Sequence, residues 1–447
     1  MHMDLGQRLE VVGDHARSES FDVFRQHLEP AWIEAALKTT GTLSLRRRRL
    51  PAESAVWTVI GMALLRDRSI QEVVTHLGLV LPAEDQPATI TGSAILQARD
   101  RLGEEPLAAL FAQIADHWVD RSADQHRWRG LRVYGVDGST LRIPDTQEND
   151  AAFGRPKSGR GRSGYPQVRL VALMVLRSHE LASLAFGRYA DSEVTLAEPL
   201  WSKIPDKSLT LVDRGFISYL VFQGIRSAGS ERHWLTRAKK NLKWAKLKRL
   251  GPNDYLVEIP INKSLRRKHP EMPPTMTARA IRYQRRGFRA QVLLTSLLDH
   301  TAYPAAEIAE LYHERWELEL GFDEVKTHTL EREEALRSRT PERARQEIWG
   351  LAIGYNLVRL EMERAAGKLK LPPTRISFRH SLMLVRTFLL VTAWASNPAN
   401  LPRRLEDLHT EVALLVLPDR RRQRSYPRAV KVKMSNYALN RRPQRRG

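Results

Sequence analysis

The sequence contains no cysteine. Disulfides, zinc–thiolate sites and cysteine nucleophiles are therefore excluded. Long apolar runs are missing too. No stretch of about 18 uncharged apolar residues is present, and the opening "MHMDLGQRLEVVGDHARSES" has no apolar signal core. The expectation is a soluble cytoplasmic chain with no membrane partner. Acidic side chains are in short supply, with 51 Asp and Glu against 72 Lys and Arg and a formal charge of +21. Of the basic residues 56 are Arg and 16 are Lys. Arginine forks onto phosphate in a planar, bidentate way that lysine cannot match. A polyanionic partner follows, and nucleic acid fits best. A length of 447 residues carries a soft prior of about three domains and room for a large core.

Residues 19 to about 125 read as helices. "FDVFRQHLEPAWIEAALKTTG" is amphipathic with Gly41 as a stop, and "SIQEVVTHLG" opens with Ser69 and Glu72 in capping-box spacing and ends at Gly78. Between them "LRRRRLPAESAVWTVIGMALLRDRS" sets Arg46, Arg47, Arg48 and Arg49 ahead of an apolar helix. Short helices beside an arginine cluster predict a helical DNA-binding segment; a plain bundle with a wet basic face is the alternative. From Leu131 the period changes. "LRVYGVDGSTLRIPD" alternates as a strand, "VRLVALMVL" and "LASLAFGRY" read as buried strands, and "SLTLVDRGFISYLVFQGIRSAG" is a buried strand ending at Asp213, then a helix. The loop "FGRPKSGRGRSGYPQ" mimics a P-loop but lacks its Lys-Ser/Thr, so nucleotide binding there is rejected. Residues 230 to 300 are short, basic, β-leaning segments, read as a β-rich insertion. Helices then resume, and the chain closes on the basic "RRRQRSYPRAVKVKMSNYALNRRPQRRG".

The stretch "YHERWELELGFDEVK" is crowded with charge for so apolar a helix. At 100° per residue, Tyr312, Arg315, Glu319 and Lys326 fall within a wedge of roughly 60°. On the helix alone an Arg315–Glu319 ion-pair ladder and an active-site face stand side by side. Two further carboxylates tip the balance. Asp137 lies inside a strand core and Asp213 closes the apolar run "LTLV"; each is costly there unless paired or bound to a metal. Three carboxylates on strand, strand and helix suit two Mg²⁺ or Mn²⁺ ions. Such a pair can clamp both oxygens of a phosphoryl displacement. Arg315 and Lys326 are then placed to neutralise phosphates. Trp234 or Trp244, in the basic insertion, is expected to hold an unstacked base. Asp323 is a further carboxylate near the same face, with a salt bridge to Lys326 or Arg315 as the simpler expectation.

The spacing Tyr312-(2)-Arg315-(3)-Glu319-(6)-Lys326 resembles the signature of the insertion sequence 4 family of DDE transposases. "GVDGSTLRIPDT" and "LVDRGFISY" resemble that family's first and second aspartate blocks, and "YPAAEIAELYHERWELELGFDEVKT" its third. "SAILQARDRLG" and "RSYPRAVKVKMSNY" resemble family segments as well, so the likeness spans most of the chain. It implies Asp137, Asp213 and Glu319 as the metal-binding catalytic triad, with Tyr312, Arg315 and Lys326 contacting DNA. No triad or signature position is replaced. It also implies an α/β chain with an RNase H-like catalytic domain interrupted by the β-rich insertion. The expected layout is a helical DNA-binding domain at 1–125, catalytic halves at 126–225 and 301–400 flanking an insertion at 226–300, and a basic tail at 401–447. The implied activity is cut-and-paste transposition on double-stranded DNA, at terminal inverted repeats and at target DNA. A hairpin intermediate, a homodimer on paired ends and association with a bacterial nucleoid go with it. The alternatives are a non-catalytic DNA-binding regulator, which needs no triad, and a nuclease of the same fold that never transfers a strand.

Overall fold

The computed structural model describes residue 24 and residues 28–43, 49–80, 90–158, 161–162, 164–285, 289–331, 335–393, 401–418, 430–431 and 438–439. Its first part is helical: α1 (Pro30–Thr39), α2 (Ala52–Leu64), α3 (Ile70–His76), α4 (Gly92–Leu102) and α5 (Glu105–Ile114), the last running through a π turn into α6 (Asp120–Gln125). The expected capping box forms, since Ser69 accepts from the Glu72 N–H while Glu72 accepts from the Ser69 N–H. Helix α2 buries every residue from Ser54 to Leu64, as its unbroken apolar sequence requires. It lies against the long helix α13 (Pro341–Leu369), where a Cβ on Gly350 would sit 2.8 Å from the Val59 carbonyl. Arg99 of α4, almost fully buried, donates to Gln346 of α13, to Ser338 and to the Arg343 carbonyl. The N-terminal helices and α13 therefore share one hydrophobic core.

A nine-stranded sheet runs through the rest. Its strands are β1 (Arg132–Arg142), β2 (Gln167–Val175), β3 (Leu181–Arg188), β4 (Ser208–Val212), β5 (Arg232–Arg237), β6 (Ala245–Gly251), β7 (Asp254–Pro260), β8 (Thr275–Tyr283) and β9 (Gln291–Thr295). The spatial order is β3-β2-β1-β4-β5-β9-β8-β7-β6. β1 pairs antiparallel with β2 and parallel with β4, and β4 pairs parallel with β5. The first five strands, two antiparallel and three parallel, form the RNase H-like arrangement expected from the sequence. The parallel step from β4 to β5 uses helix α9 (Tyr219–Ser227) as its crossover.

The β-rich segment is present, with two differences from expectation. Arg232–Arg237 falls within the stretch read as insertion, yet as β5 it completes the catalytic sheet. The strands after it do not form a separate body either. β9 hydrogen-bonds to β5, so the insertion continues the same sheet. Open edges accept further strands, because an unpaired row of N–H and C=O groups must be satisfied. Among the described residues no helix is long and apolar enough to cross a membrane.

Candidate active site

The helix carrying Glu319 packs across β1. It runs as α11 (Ala305–Tyr312), a 3₁₀ turn (His313–Arg315), α12 (Trp316–Asp323) and a π turn (Glu324–Thr329). Two glycines let it lie close to the sheet. A Cβ on Gly135 of β1 would stand 2.7 Å from Leu318, and one on Gly321 would stand 2.5 Å from Met174 of β2. With period-2 alternation, Gly135, Asp137 and Ser139 share the β1 face beneath this helix, while Tyr134 and Val136 join the core on the other side.

Asp137 and Asp213 come together through the sheet. β1 and β4 are in parallel register with Val136 opposite Val212, so the next residue of each is an aspartate. Adjacent parallel strands are about 4.8 Å apart, which places the two carboxylates side by side. Asp137 accepts from the Gly138 N–H at 2.8 Å, and its side chain is only 23% exposed. Burial pushes its pKa up to about 6; the Gly138 N–H and Arg315 pull it down, and the charges of Asp213 and Glu193 add to the rise. Arg315 is the cation between strand and helix. Its Nη2 donates to Glu319 at 3.0 Å and its Nη1 lies 3.8 Å from Asp137. Tyr312 is buried beside this group, and burial raises its phenol to about 12.

Glu319 and Asp137 thus share one guanidinium, and Asp213 adds its charge from the end of the neighbouring strand. Among the described residues no three acidic or imidazole groups converge closely enough to hold a metal ion; Glu319 is paired to Arg315 at 3.0 Å. The donor set itself suits a hard divalent cation. It offers only carboxylate oxygens, and burial disfavours the charge on Asp137, a cost that a bound cation would offset.

Lys326 lies further along, lining an apolar pocket with Ser139, Leu141, Phe322 and Val325. It shares the Asp137 face of β1 but sits two residues down the strand. Asp323 takes the Thr327 hydroxyl at 2.6 Å, in place of either expected salt bridge. Trp234 corrects its expectation. It is 2% exposed and stacks on Phe222 with ring centroids 3.9 Å apart, a core position on β5 with no face open to a base. Trp244 is half-buried, just before the outermost strand β6. Arg49 is half-buried ahead of α2, whereas Arg46, Arg47 and Arg48 lie outside the described residues. Of the segment expected as a basic tail, Leu401–Ala413 is a helix, and 419–429, 432–437 and 440–447 lie outside the described residues.

Sequence reasoning missed two groups. Glu193 closes in on Gly138, where a Cβ would stand 2.5 Å from its carboxyl carbon, and Arg169 holds it at 2.7 Å. The bare glycine after Asp137 was the available signal. The second group is the far side of the Glu319 helix. Glu314 receives a two-pronged bond from Arg177 at 2.9 and 2.8 Å, and Glu317 lies 2.7 Å from His179. Glu324 accepts from Tyr355 at 2.9 Å and from Arg359. Helical spacing put these three glutamates on one face, but nothing in the sequence named their partners.

Residues 18–112 match the family described as insertion element 4 transposase N-terminal, and residues 128–357 match the transposase DDE domain. The chain is 37% identical over 438 residues to "Transposase InsG for insertion sequence element IS4" of Escherichia coli (strain K12), covering 97% of this chain and 98% of that one. It is 36% identical over 227 residues to "Putative transposase InsZ" of the same organism, covering 50% of this chain and 73% of that one. A solved piggyBac transposase synaptic complex with hairpin DNA aligns at 13% identity and a TM-score of 0.39, over 91% of this chain and 86% of that one. That score is too low to argue a shared fold.

Proposed function

The chain belongs to the insertion element 4 family of DDE transposases, and from that premise we propose that it excises and inserts its element by cut-and-paste transposition, with Asp137, Asp213 and Glu319 as the catalytic triad. The observation that carries this reading is the Arg315 guanidinium, which bonds Glu319 at 3.0 Å and faces Asp137 at 3.8 Å, with Asp213 on the neighbouring parallel strand. Two acids far apart in sequence share one cation, and a third ends the strand beside them.

On this reading Asp137, Asp213 and Glu319 hold divalent magnesium or manganese, two ions in the full site. Bound there, such ions supply Lewis-acid stabilisation to the attacking and leaving oxygens of the phosphodiester. The chain's own residues do the rest. Asp137 and Asp213 fix one side of the site on rigid strands, and Glu319 closes it from the helix. Arg315, released from Glu319, turns to a phosphate beside the scissile bond. Tyr312 supports Arg315 from within the core, and Lys326 meets the backbone further along the same face. A water cuts the strand at the element end, and the freed 3′-hydroxyl attacks the opposite strand to leave a hairpin, later opened and joined to target DNA. No covalent protein–DNA bond is required.

The helical segment 1–125, with Arg46, Arg47, Arg48 and Arg49, is assigned to recognition of the terminal inverted repeats. The catalytic halves at 126–225, extended by the strand Arg232–Arg237, and at 301–400, the remaining insertion up to residue 300 and the segment 401–447 complete the layout, and two copies pair two ends. Trp244, half-exposed at the sheet edge, remains the aromatic candidate for an unstacked base. Binding to any DNA should weaken steeply with salt, because arginines release phosphate counterions. Removing residues 420–447 should flatten that slope.

A gel assay on end-containing duplex with Mg²⁺ tests the triad. Asp137→Asn, Asp213→Asn and Glu319→Gln should each bind the duplex and fail to cut it. Cutting at the wild-type rate by any of the three would overturn its assignment. Cleavage without any end joining by the wild-type protein would favour a nuclease of this fold.

A further inference from the structure

We propose that the hairpin between β2 and β3, residues 176–180, is the positioning device for Glu319, gripping the back of its helix through Arg177 and His179. The inference rests on the triad assignment above and extends it to residues that never meet DNA or metal.

Glu314, Glu317 and Glu324 fall within about 80° of one another on regular helical geometry, and Glu319 points about 200° away from Glu317. The back face is held at both ends. Arg177 forks onto Glu314, and its remaining nitrogen donates to the carbonyls of His126 and Arg127 at 3.3 and 3.2 Å. His179, fully buried, bridges Glu317 and Glu324, the residues that straddle Glu319. Both its ring nitrogens have partners. Nε2 lies 2.7 Å from Glu317, while Nδ1 lies 3.3 Å from Glu324 and 2.6 Å from Arg359 Nη2. Arg359 also donates to Glu324, and Tyr355 adds a bond to the same carboxylate. The grip therefore joins three bodies: the sheet through β2, which pairs with the Asp137 strand, helix α13 through Tyr355 and Arg359, and the Glu319 helix.

The hairpin is shaped for this task. His179 has φ +64°, the left-handed region that among non-glycine residues Asn, Asp and His adopt most readily. The need for it is geometric. On the site face Glu319 is held by Arg315, the group assigned to a DNA phosphate. Once Arg315 lets go, the rotation of Glu319 must be set from behind, and a catalytic carboxylate tolerates only about 0.5 Å of error.

The test uses the full chain and two variants. His179→Asn keeps the left-handed backbone, which Asn tolerates, and removes the bridge. Arg177→Gln removes the fork at the more exposed end. For each, hydrogen exchange across residues 312–329 is measured beside single-turnover cleavage and duplex binding in EDTA. For His179→Asn, exchange in 312–329 should quicken by about tenfold or more while β1 and β4 stay protected. Cleavage should fall on the order of 10²-fold with duplex affinity unchanged. Arg177→Gln should show the same pattern more weakly, and it carries the test if His179→Asn loses protection throughout. Faster exchange with cleavage at the wild-type rate would overturn the proposal, as would unaltered exchange in 312–329. Asp137→Asn is run alongside. Normal cleavage there defeats the triad assignment, whereas its loss beside a fully active His179→Asn defeats only the clamp.

Discussion

The two faces of the Glu319 helix carry similar residues and opposite logic. On the back, Glu314, Glu317 and Glu324 meet Arg177, His179, Tyr355 and Arg359 in closed, direct bonds. On the front, Glu319 and Asp137 share one arginine, and at 3.8 Å the Asp137 contact is no hydrogen bond. The pKa directions follow. Burial alone would raise Glu324, but Arg359 and His179 outweigh it and bring the carboxyl to about 2. Asp137, with weaker compensation, is pushed up to about 6. A satisfied charge network fixes structure, whereas an under-compensated one is ready to take a cation or a phosphate.

The largest expected effect breaks the two faces apart. Glu319→Gln should lower cleavage by at least about 10³-fold if the proposed triad holds, because the charge lost would be a metal ligand's. Its melting free energy should move by less than about 1 kcal/mol, as for other partly exposed pairs. Glu324→Gln should cost about 3–5 kcal/mol of stability, since it leaves the Arg359 charge buried without its counter-ion. Thermal unfolding beside a cleavage assay gives both numbers. Equal stability losses at the two positions would erase the distinction.

A smaller effect sharpens it through pH. Asp137 has a raised folded pKa, so its burial penalty is absent near pH 4 and grows as pH rises through about 6. In EDTA, Asp137→Asn should therefore stabilise the protein by on the order of 1–3 kcal/mol near pH 8 and by little near pH 4. Glu324 has a depressed pKa, so its contribution is full above its ordinary value of 4.5 and is lost as pH falls toward 2. Melting curves of wild type and Asp137→Asn across that range decide the matter. Gly321→Val should lift the helix off Met174 at a cost of about 1–3 kcal/mol, with cleavage falling more than binding. Asp323→Asn is the smallest. It removes one exposed bond from Thr327 and should change stability by no more than about 0.5 kcal/mol, with cleavage intact.

The candidate site was proposed from local features of the sequence. Asp137 and Asp213 stood out because a carboxylate inside or just after an apolar strand needs a reason, and Glu319 because helical spacing set it beside Arg315. The errors have physical causes. Trp234 was expected to hold an unstacked base because it stands in a basic, β-leaning segment, yet strand pairing with β4 turns it inward onto Phe222. Asp323 was given a charged partner, yet Thr327, four residues on and also at helical spacing, donates to it instead.

The sequence by itself determined the local order: capping at Ser69, the alternation of β1, and the arginine excess that calls for a polyanion. Local periodicity and composition need no knowledge of what lies across the core. The tertiary structure alone decided that Val136 lies opposite Val212, that the basic strands extend the catalytic sheet, and that Arg177 and His179 reach behind Glu319. Each of these joins residues far apart along the chain. Sequence spacing carries no information about such pairings until the chain has folded and buried charges have had to find their partners.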